Sequence, residues 1–407
     1  MKSDLDSLMQ ARNLDGLFVV GNAERNPPMT YLTGGGHVSN AVLLKKRGYD
    51  AFLFCNQMER EEAAKSGLKI FTLPVAPLRE LLKESASLMF IKAGLTAGRV
   101  GVYGHADLSA VFLALDQLKK AMPRLVFVAE GMDDNIFLRA METKDKTELA
   151  RIRRMGRITT EVVALVAEYL TSREVRPDEV LLAEGDTPLT VGNIKSKISL
   201  WLAERGAETP EGFIFAVGRD AAIPHSTGNP EDLLRLGQTI VFDIYPAEAG
   251  GGYFYDFTRT WSLGYATPEA QALYDQVRAV YDKVVDNLDL NMPFREIQHL
   301  TCDEFEKAGH PTPQRGGGGL VEGYVHSIGH GLGLNIHERP WSSLSADDSS
   351  RLQPGVVITI EPGLYYPEQG MGVRIEDSYY VHPDGKVEIL AEYPYDFVLK
   401  MLREKDT

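Results

Sequence analysis

The stretch VFDIYPAEAGGGYFYDFTRTW, residues 241–261, has apolar and β-branched arms on either side of an Ala, Glu and Gly turn, with one aspartate in each arm. This pattern predicts a β-hairpin. With the turn centred near Ala249 and Gly250, Asp243 and Asp256 lie symmetrically about it, and regular pairing makes them cross-strand neighbours on one face. The stretch ITIEPGLYYPEQGMGVRIEDSYYV, residues 358–381, repeats the construction, with Glu361 and Glu376 symmetric about a turn at Glu368 and Gln369. Phe242, Ile244, Phe254, Phe257, Ile358, Ile360 and Ile375 make these strands heavily apolar. Opposed like charges destabilise a sheet, and buried carboxylates need protons or counter-charge. One such pair is explained equally well by a wet face with imperfect register. Two in one chain favour a pair of divalent cations shared among four acids.

Outward from the hairpins, four histidines fall in two short segments: His225 in IPHSTGNP, and His326, His330 and His337 in GYVHSIGHGLGLNIHERP. Taken singly, each is most simply a hydrogen-bonded structural histidine. Gly329, Gly331 and Gly333 distinguish the second segment, because they allow close backbone approach around His330, as a ligand held against an ion requires. Arg374 lies two residues before Glu376, hence on the same strand face, where its fixed cation would orient an acidic ligand.

The first part of the chain alternates apolar strands with amphipathic segments: GLFVV at 16–20, NAVLLKK at 40–46, DAFLF at 50–54, a helical stretch from Asn56, and VGVYG at 100–104. That is the pattern of an α/β domain. Between Glu142 and Ala167 it gives way to KTELARIRRMGRITTEVVALVAEYL, a long amphipathic helix opening a second domain. The predicted boundary is near residue 138, giving domains 1–138 and 139–407. Further helices are expected near 190–205, 267–288 and 293–308. The run QRGGGGLVEG at 314–323 holds helix or strand poorly and reads as a mobile loop, or more sharply as a lid.

The chain has 407 residues, 44% apolar and 25% charged, a net charge of −14 and two cysteines, Cys55 and Cys302. The acidity argues against nucleic acid as a partner. No apolar run suits a bilayer, the opening MKSDLDSLMQARN lacks a secretory apolar core, and a cytoplasmic protein is expected. Two distant cysteines give neither a disulfide framework nor a thiolate zinc site. A zincin His-Glu-x-x-His, a Gly-x-Ser-x-Gly elbow, a Walker loop and a dinucleotide glycine fingerprint are missing from the sequence.

The Asp243/Asp256 hairpin ending in Thr258-Arg259-Thr260, the Gly-His-Gly at His330, the Glu-Pro-Gly at Glu361 and the Arg-Ile-Glu at Glu376 resemble, in order, the motifs of the pita-bread metallopeptidases, the family of aminopeptidase P, prolidase, methionine aminopeptidase and creatinase. The resemblance covers roughly residues 140–400. More weakly, the N-terminal 138 residues resemble the creatinase/prolidase-like accessory α/β domain. It implies an α/β (α+β) chain with a C-terminal pita-bread catalytic domain, and five metal ligands: Asp243 on one ion, His330 and Glu361 on the other, Asp256 and Glu376 bridging. Two divalent ions are implied, Mn²⁺ first and Co²⁺ or Zn²⁺ as alternatives. The implied reaction is hydrolysis of the N-terminal Xaa-Pro bond by a hydroxide held between the ions, by an Xaa-Pro aminopeptidase or dipeptidase acting on peptides with proline second. Catalytic roles fall to His225, His337, Glu361 and Arg374, substrate contacts to His225, His326 and His337, and support of the ligands to Tyr365 and Arg374. A homodimer is also implied. The large N-terminal domain disfavours methionine aminopeptidase, and the complete pentad disfavours creatinase. The chain departs from the family at Asp243-Ile-Tyr-Pro, where Asp-Ile-Gly or Asp-Leu-Gly is more usual, and at Gly316 to Gly319. Rival readings are a same-fold enzyme acting on a small non-peptide substrate and a non-catalytic peptide-binding module.

Overall fold

The computed structural model describes residues 4–317 and 319–402. The chain forms two compact units: Met1–Met141 with Gly250–Gly252, and Glu142–Ala249 with Tyr253–Thr407. Among the described residues no helix is long and apolar enough to cross a membrane.

In the first unit, six strands run in the order Lys69–Leu73, Ala51–Asn56, Ala41–Lys46, Gly16–Gly21, Gly98–Tyr103, Leu125–Val128. The middle strands Gly16–Gly21, Ala41–Lys46 and Ala51–Asn56 pair antiparallel; the flanking pairings are parallel. Helices Leu78–Lys92 and Leu108–Ala121 bury Leu82, Ala86, Phe90, Ala114 and Leu118 in one core with Phe18, Val20, Val42 and Leu44. The central strand Gly16–Gly21 is buried along its whole length, as a continuous apolar run between covered faces should be.

The second unit opens with helix Lys146–Thr171. It starts at Lys146, the first residue of the stretch read as helix, because Asp145 accepts from the amides of Thr147 and Glu148 while Glu148 accepts from that of Asp145, a closed capping box. Helices Val191–Glu204, Pro268–Val285 and Phe294–Lys307 follow where the sequence predicts them. The glycine run differs from expectation: Pro313–Gly316 forms a short helix with proline in its first turn, and Gly317 and Gly319 take φ of +70° and +107°. Gly318, at the centre of the loop or lid reading, lies outside the described residues.

The first acidic hairpin pairs Thr239–Ile244 with Phe257–Leu263, and Asp243 faces Thr258 rather than Asp256. The same register continues through Tyr255 N–H to the Pro246 carbonyl and Glu248 N–H to that of Tyr253. The turn therefore centres on Gly250 and Gly251, both at φ +87°, where glycine adopts a conformation that Ala249 would resist. Asp256 stays on the face of Asp243, because it lies two residues from Thr258, but as a diagonal neighbour.

In the second hairpin, Gly363–Tyr366 pairs with Met371–Arg374, Gly363 opposite Arg374. Farther along, Val357–Ile360 pairs with Asp377–Val381, Ile360 opposite Asp377. Both pairings share one register, so Glu361 lies across from Glu376 as expected. Between them the ladder opens. There Glu376 N–H turns to the Thr258 carbonyl at 3.1 Å, and Glu361 N–H to the Ile328 carbonyl at 2.8 Å. The break thus binds the second hairpin to the first and to the histidine-rich segment.

Candidate functional site

His330–Gly331 is a two-residue strand held between Glu338–Trp341 and Val357–Ile360. The three glycines around it are required by contact: a Cβ at Gly329 would sit 2.0 Å from the Thr359 carbonyl oxygen, at Gly331 1.9 Å from that of Arg339, and at Gly333 1.9 Å from Glu338 Oε1. Thr359 Oγ1 accepts from His330 N–H at 3.1 Å. The Nδ1 of His330 lies 3.0 Å from the Gly331 carbonyl. A carbonyl only accepts, so Nδ1 carries the proton and Nε2 offers its lone pair.

That lone pair faces acids. Nε2 is 3.4 Å from Glu361 Oε1 and 3.5 Å from Asp256 Oδ2. One donor atom each from Asp256, His330 and Glu376 lies within 4.8 Å of the others, and all three residues are buried. Among the described residues, Asp243 Oδ1, Asp256 Oδ1 and Glu376 Oε1 are buried without a hydrogen-bond partner. Orphaned buried carboxylate oxygens are costly.

The electrostatics carry the same signature. Burial, then Asp243 and Glu361, push the Asp256 carboxyl well above the carboxylate range; burial, then Asp256, Glu361 and Asp243, do the same to Glu376. Burial lifts Glu361 to about 8, against the pull of Arg374. Burial, with His337 next, lowers His330 to about 3. The cluster sets buried acids beside an imidazole held neutral, and this oxygen-rich donor set with one nitrogen fits divalent metal ions.

Arg374 holds an acidic group, and that group is Asp243. Its Nη2 meets Asp243 Oδ2 at 2.5 Å, its Nη1 donates to the Tyr365 hydroxyl at 2.7 Å, and its Nε to Thr258 Oγ1 at 3.3 Å. The contact with Glu376 is indirect, since Thr258 Oγ1 donates to Glu376 Oε2 at 2.7 Å. The face argument placed the guanidinium correctly, but its length carries it across to the other hairpin. Tyr365 hydroxyl lies 2.8 Å from His326 Nε2, and His326 Nδ1 lies 2.8 Å from the Ser327 carbonyl. Both ring nitrogens of His326, expected to touch substrate, are therefore engaged by the protein. Burial, with Arg374 next, lowers this ring to about 3.

His225 and His337 are exposed, and neither side chain has a hydrogen-bond partner among the described residues. The His337 ring packs edge-on against His330, with centroids 4.3 Å apart. Although the residue reaches solvent, the protein packed about its ring disfavours the protonated form, as does His225, while Glu211 and Asp243 favour it. Sequence reasoning passed over Thr258 and Thr359 as parts of the site. The signal was present in the two-residue strand period, since each lies two positions from an acid, Asp256 and Glu361.

Residues 150–383 match the model of metallopeptidase family M24. The chain belongs to this family. An uncharacterized peptidase of Staphylococcus haemolyticus is 27% identical over 369 residues, 87% of this chain and 88% of the relative. Among solved structures, a dipeptidase from Pyrococcus horikoshii OT3 superposes with a TM-score of 0.75 at 22% identity, covering 98% of this chain and 99% of its own. An Xaa-Pro dipeptidase from Bacillus anthracis gives a TM-score of 0.75 at 21% identity, with coverage of 98% and 99%. The M24 chain described here thus has the pita-bread catalytic fold behind an N-terminal domain. A metallopeptidase family implies divalent metal ions, and the buried acid cluster is where the donor set fits them.

Proposed function

We propose that this M24 protein is a metal-dependent exopeptidase that releases the first residue from peptides with proline second, as an Xaa-Pro aminopeptidase or dipeptidase. The observation that carries the reading is the buried cluster of Asp256, His330 and Glu376, in which Asp256 and Glu376, like nearby Asp243, each keep a buried carboxylate oxygen without a hydrogen-bond partner. In this reading Asp243, Asp256, His330, Glu361 and Glu376 would hold the two ions. The preferred ion is Mn²⁺, with Co²⁺ and Zn²⁺ as alternatives, because four of five donors are carboxylates. When bound, two such ions supply an activated water and polarise the scissile carbonyl.

The protein's own groups do the rest. Arg374 fixes one oxygen of Asp243 and leaves Oδ1 for the ion. Thr258 does the same for Glu376 through Oε2. His225 and His337, with uncommitted ring nitrogens, donate to the substrate carbonyl oxygen as its charge develops, a contribution of about 3 kcal/mol each by analogy with other oxyanion donors. Glu361, whose Oε1 lies 3.4 Å from His330 Nε2, receives the proton from water and returns it to the departing prolyl nitrogen. Arg374, Tyr365 and His326 form a hydrogen-bonded chain that stiffens the wall behind these groups.

The proline preference is supported by the name of the Bacillus anthracis neighbour on the same fold. The test is a length and sequence series, Xaa-Pro, Xaa-Pro-Yaa and longer peptides with Xaa-Ala controls, assayed with Mn²⁺, Co²⁺ and Zn²⁺ in parallel. Release of the first residue from proline substrates is expected. A metal-loaded protein that leaves the whole proline series intact overturns the proposal.

A further inference from the structure

Beside the acid cluster stands an aromatic side chain with no part in the chemistry above. Tyr245 is the residue just past strand Thr239–Ile244 and follows Asp243 by two; the hairpin register continues through it to Pro246, so the two side chains leave from the same face. Carrying the hairpin register one step beyond Ile244 and Phe257 brings Tyr245 across from Asp256. On the other edge of the same strand Ile214 pairs with Asp243, so the segment running into it, Glu211 to Phe213, passes alongside Tyr245. The phenol thus stands between two acids of the cluster and a third, exposed acid, Glu211.

Its surroundings agree with that placement. The ring is half-buried. Burial first, then the charges of Asp243 and Asp256, with Glu211 also contributing, keep the hydroxyl protonated. No hydrogen bond to that hydroxyl is formed among the described residues, although carboxylates surround it. Pro246, next in the chain, is buried, and its carbonyl accepts from Tyr255 N–H at 3.0 Å, so the backbone under the ring is pinned. A rigidly mounted, partly open aromatic face beside the reacting groups is a wall that substrate must meet.

We propose that Tyr245 is the wall of the subsite for the first residue of the substrate and sets the size of side chain admitted there. The inference rests on the exopeptidase reading of the preceding section. The end of the substrate is assigned by charge. Glu211, the exposed acid that takes no part in the cluster, lies on the segment beside the ring and acts on its hydroxyl, and it attracts an ammonium group and repels a terminal carboxylate. In an exopeptidase cutting after the first residue, the ammonium belongs to that residue, so its side chain lies against Tyr245. Compact first residues such as Gly and Ala fit beside the ring, and Leu and Phe collide with it.

The test compares kcat/KM for Gly-Pro, Ala-Pro, Leu-Pro and Phe-Pro in the metal-loaded wild type and in Tyr245→Ala, Tyr245→Gly, Tyr245→Phe and Tyr245→Trp. Metal content and thermal unfolding are checked for each, so that a variant that has not folded is recognised. Opening the wall with Ala or Gly is expected to move the Phe-to-Ala ratio toward Phe by about tenfold or more, the scale on which pockets discriminate small changes in apolar volume. Tyr245→Phe keeps the wild-type ratio, and Tyr245→Trp lowers it further. If Ala and Gly fail to fold, the Trp variant decides. A wild type that cleaves the panel with the same ratio in every folded variant overturns this inference alone. A wild type that cleaves none of the panel overturns the exopeptidase reading and this inference with it.

Discussion

Asp243 and Arg374 are joined by a buried ion pair, Nη2 to Oδ2 at 2.5 Å, that ties the first acidic hairpin to the second. Both side chains are almost wholly withdrawn from water, so the pair belongs to the class in which removal of one partner strands the other. Arg374→Ala should therefore destabilise the metal-free protein by about 3–5 kcal/mol. Arg374→Lys should recover part of this, since an ammonium cannot reproduce the fork that reaches Asp243, Tyr365 and Thr258 together. Urea unfolding of the chelator-treated proteins measures both, and equal midpoints for wild type and Arg374→Ala would contradict the assignment.

Stability should depend on pH in opposite ways with and without metal. The folded Glu361 carboxyl sits at about 8 against an ordinary 4.5, so the folded state holds a proton that the unfolded chain releases. A raised folded pKa gives stability that is complete below 4.5 and lost as pH rises through 8. Asp256 and Glu376 act in the same direction. Below 6.5 the depressed rings of His330 and His326 oppose them, because the unfolded chain then binds protons that the folded rings refuse. Between 6.5 and 8 only the acids differ, and the metal-free protein should lose about 2 kcal/mol from Glu361 alone. Saturating Mn²⁺ should flatten or reverse this slope, since cations favour the deprotonated acids. Thermal unfolding across that window, with and without chelator, is the check.

Gly331→Ala should cost about 1–3 kcal/mol, as overpacking against backbone does, and weaken metal binding by about tenfold through displacement of the neighbouring His330. The added Cβ would lie 1.9 Å from the Arg339 carbonyl oxygen, with no flexible side chain to give way. Gly131→Ala, where the nearest atom is 3.9 Å away, is the control and should change stability by less than about 0.5 kcal/mol. Denaturation and competitive metal titration separate the two effects.

Beneath the same loop, Lys144 Nζ and Glu338 Oε1 meet at 2.6 Å with both side chains fully buried. Lys144→Met should cost about 3–5 kcal/mol by leaving a charge without compensation, and adding Glu338→Leu should return most of it. A double-mutant cycle measures the coupling; additive losses would show that the pair does not act as a unit.

The acids were legible because their cost is local. A carboxylate inside an apolar strand announces a need for counter-charge whatever the rest of the fold does. Glu361 and Glu376 were read in the correct register because Pro367 to Gly370 leave little choice of turn. Asp243 and Asp256 were read two residues out of register, because three consecutive glycines allow several turn centres and the sequence does not rank them. Which acid Arg374 holds was not legible, for a different reason. Period-two alternation tells which face a side chain leaves from but not how far a long one reaches. The paired nitrogens of His326 were equally hidden, since they depend on Tyr365 and Ser327 meeting it in three dimensions.

The opening of the ladder at Glu361 and Glu376 has a consequence for the order of events in the cell. The backbone of Glu376 is held by Thr258 and that of Glu361 by Ile328, so a fragment of the chain that ends before Glu376 cannot present the donors together. A nascent chain released only as far as residue 370 carries most of the acids and none of the finished geometry. Under the proposed assignment of the five ligands, a full set of donors would form only after the last strands have docked, and ion loading would follow closure of the second hairpin.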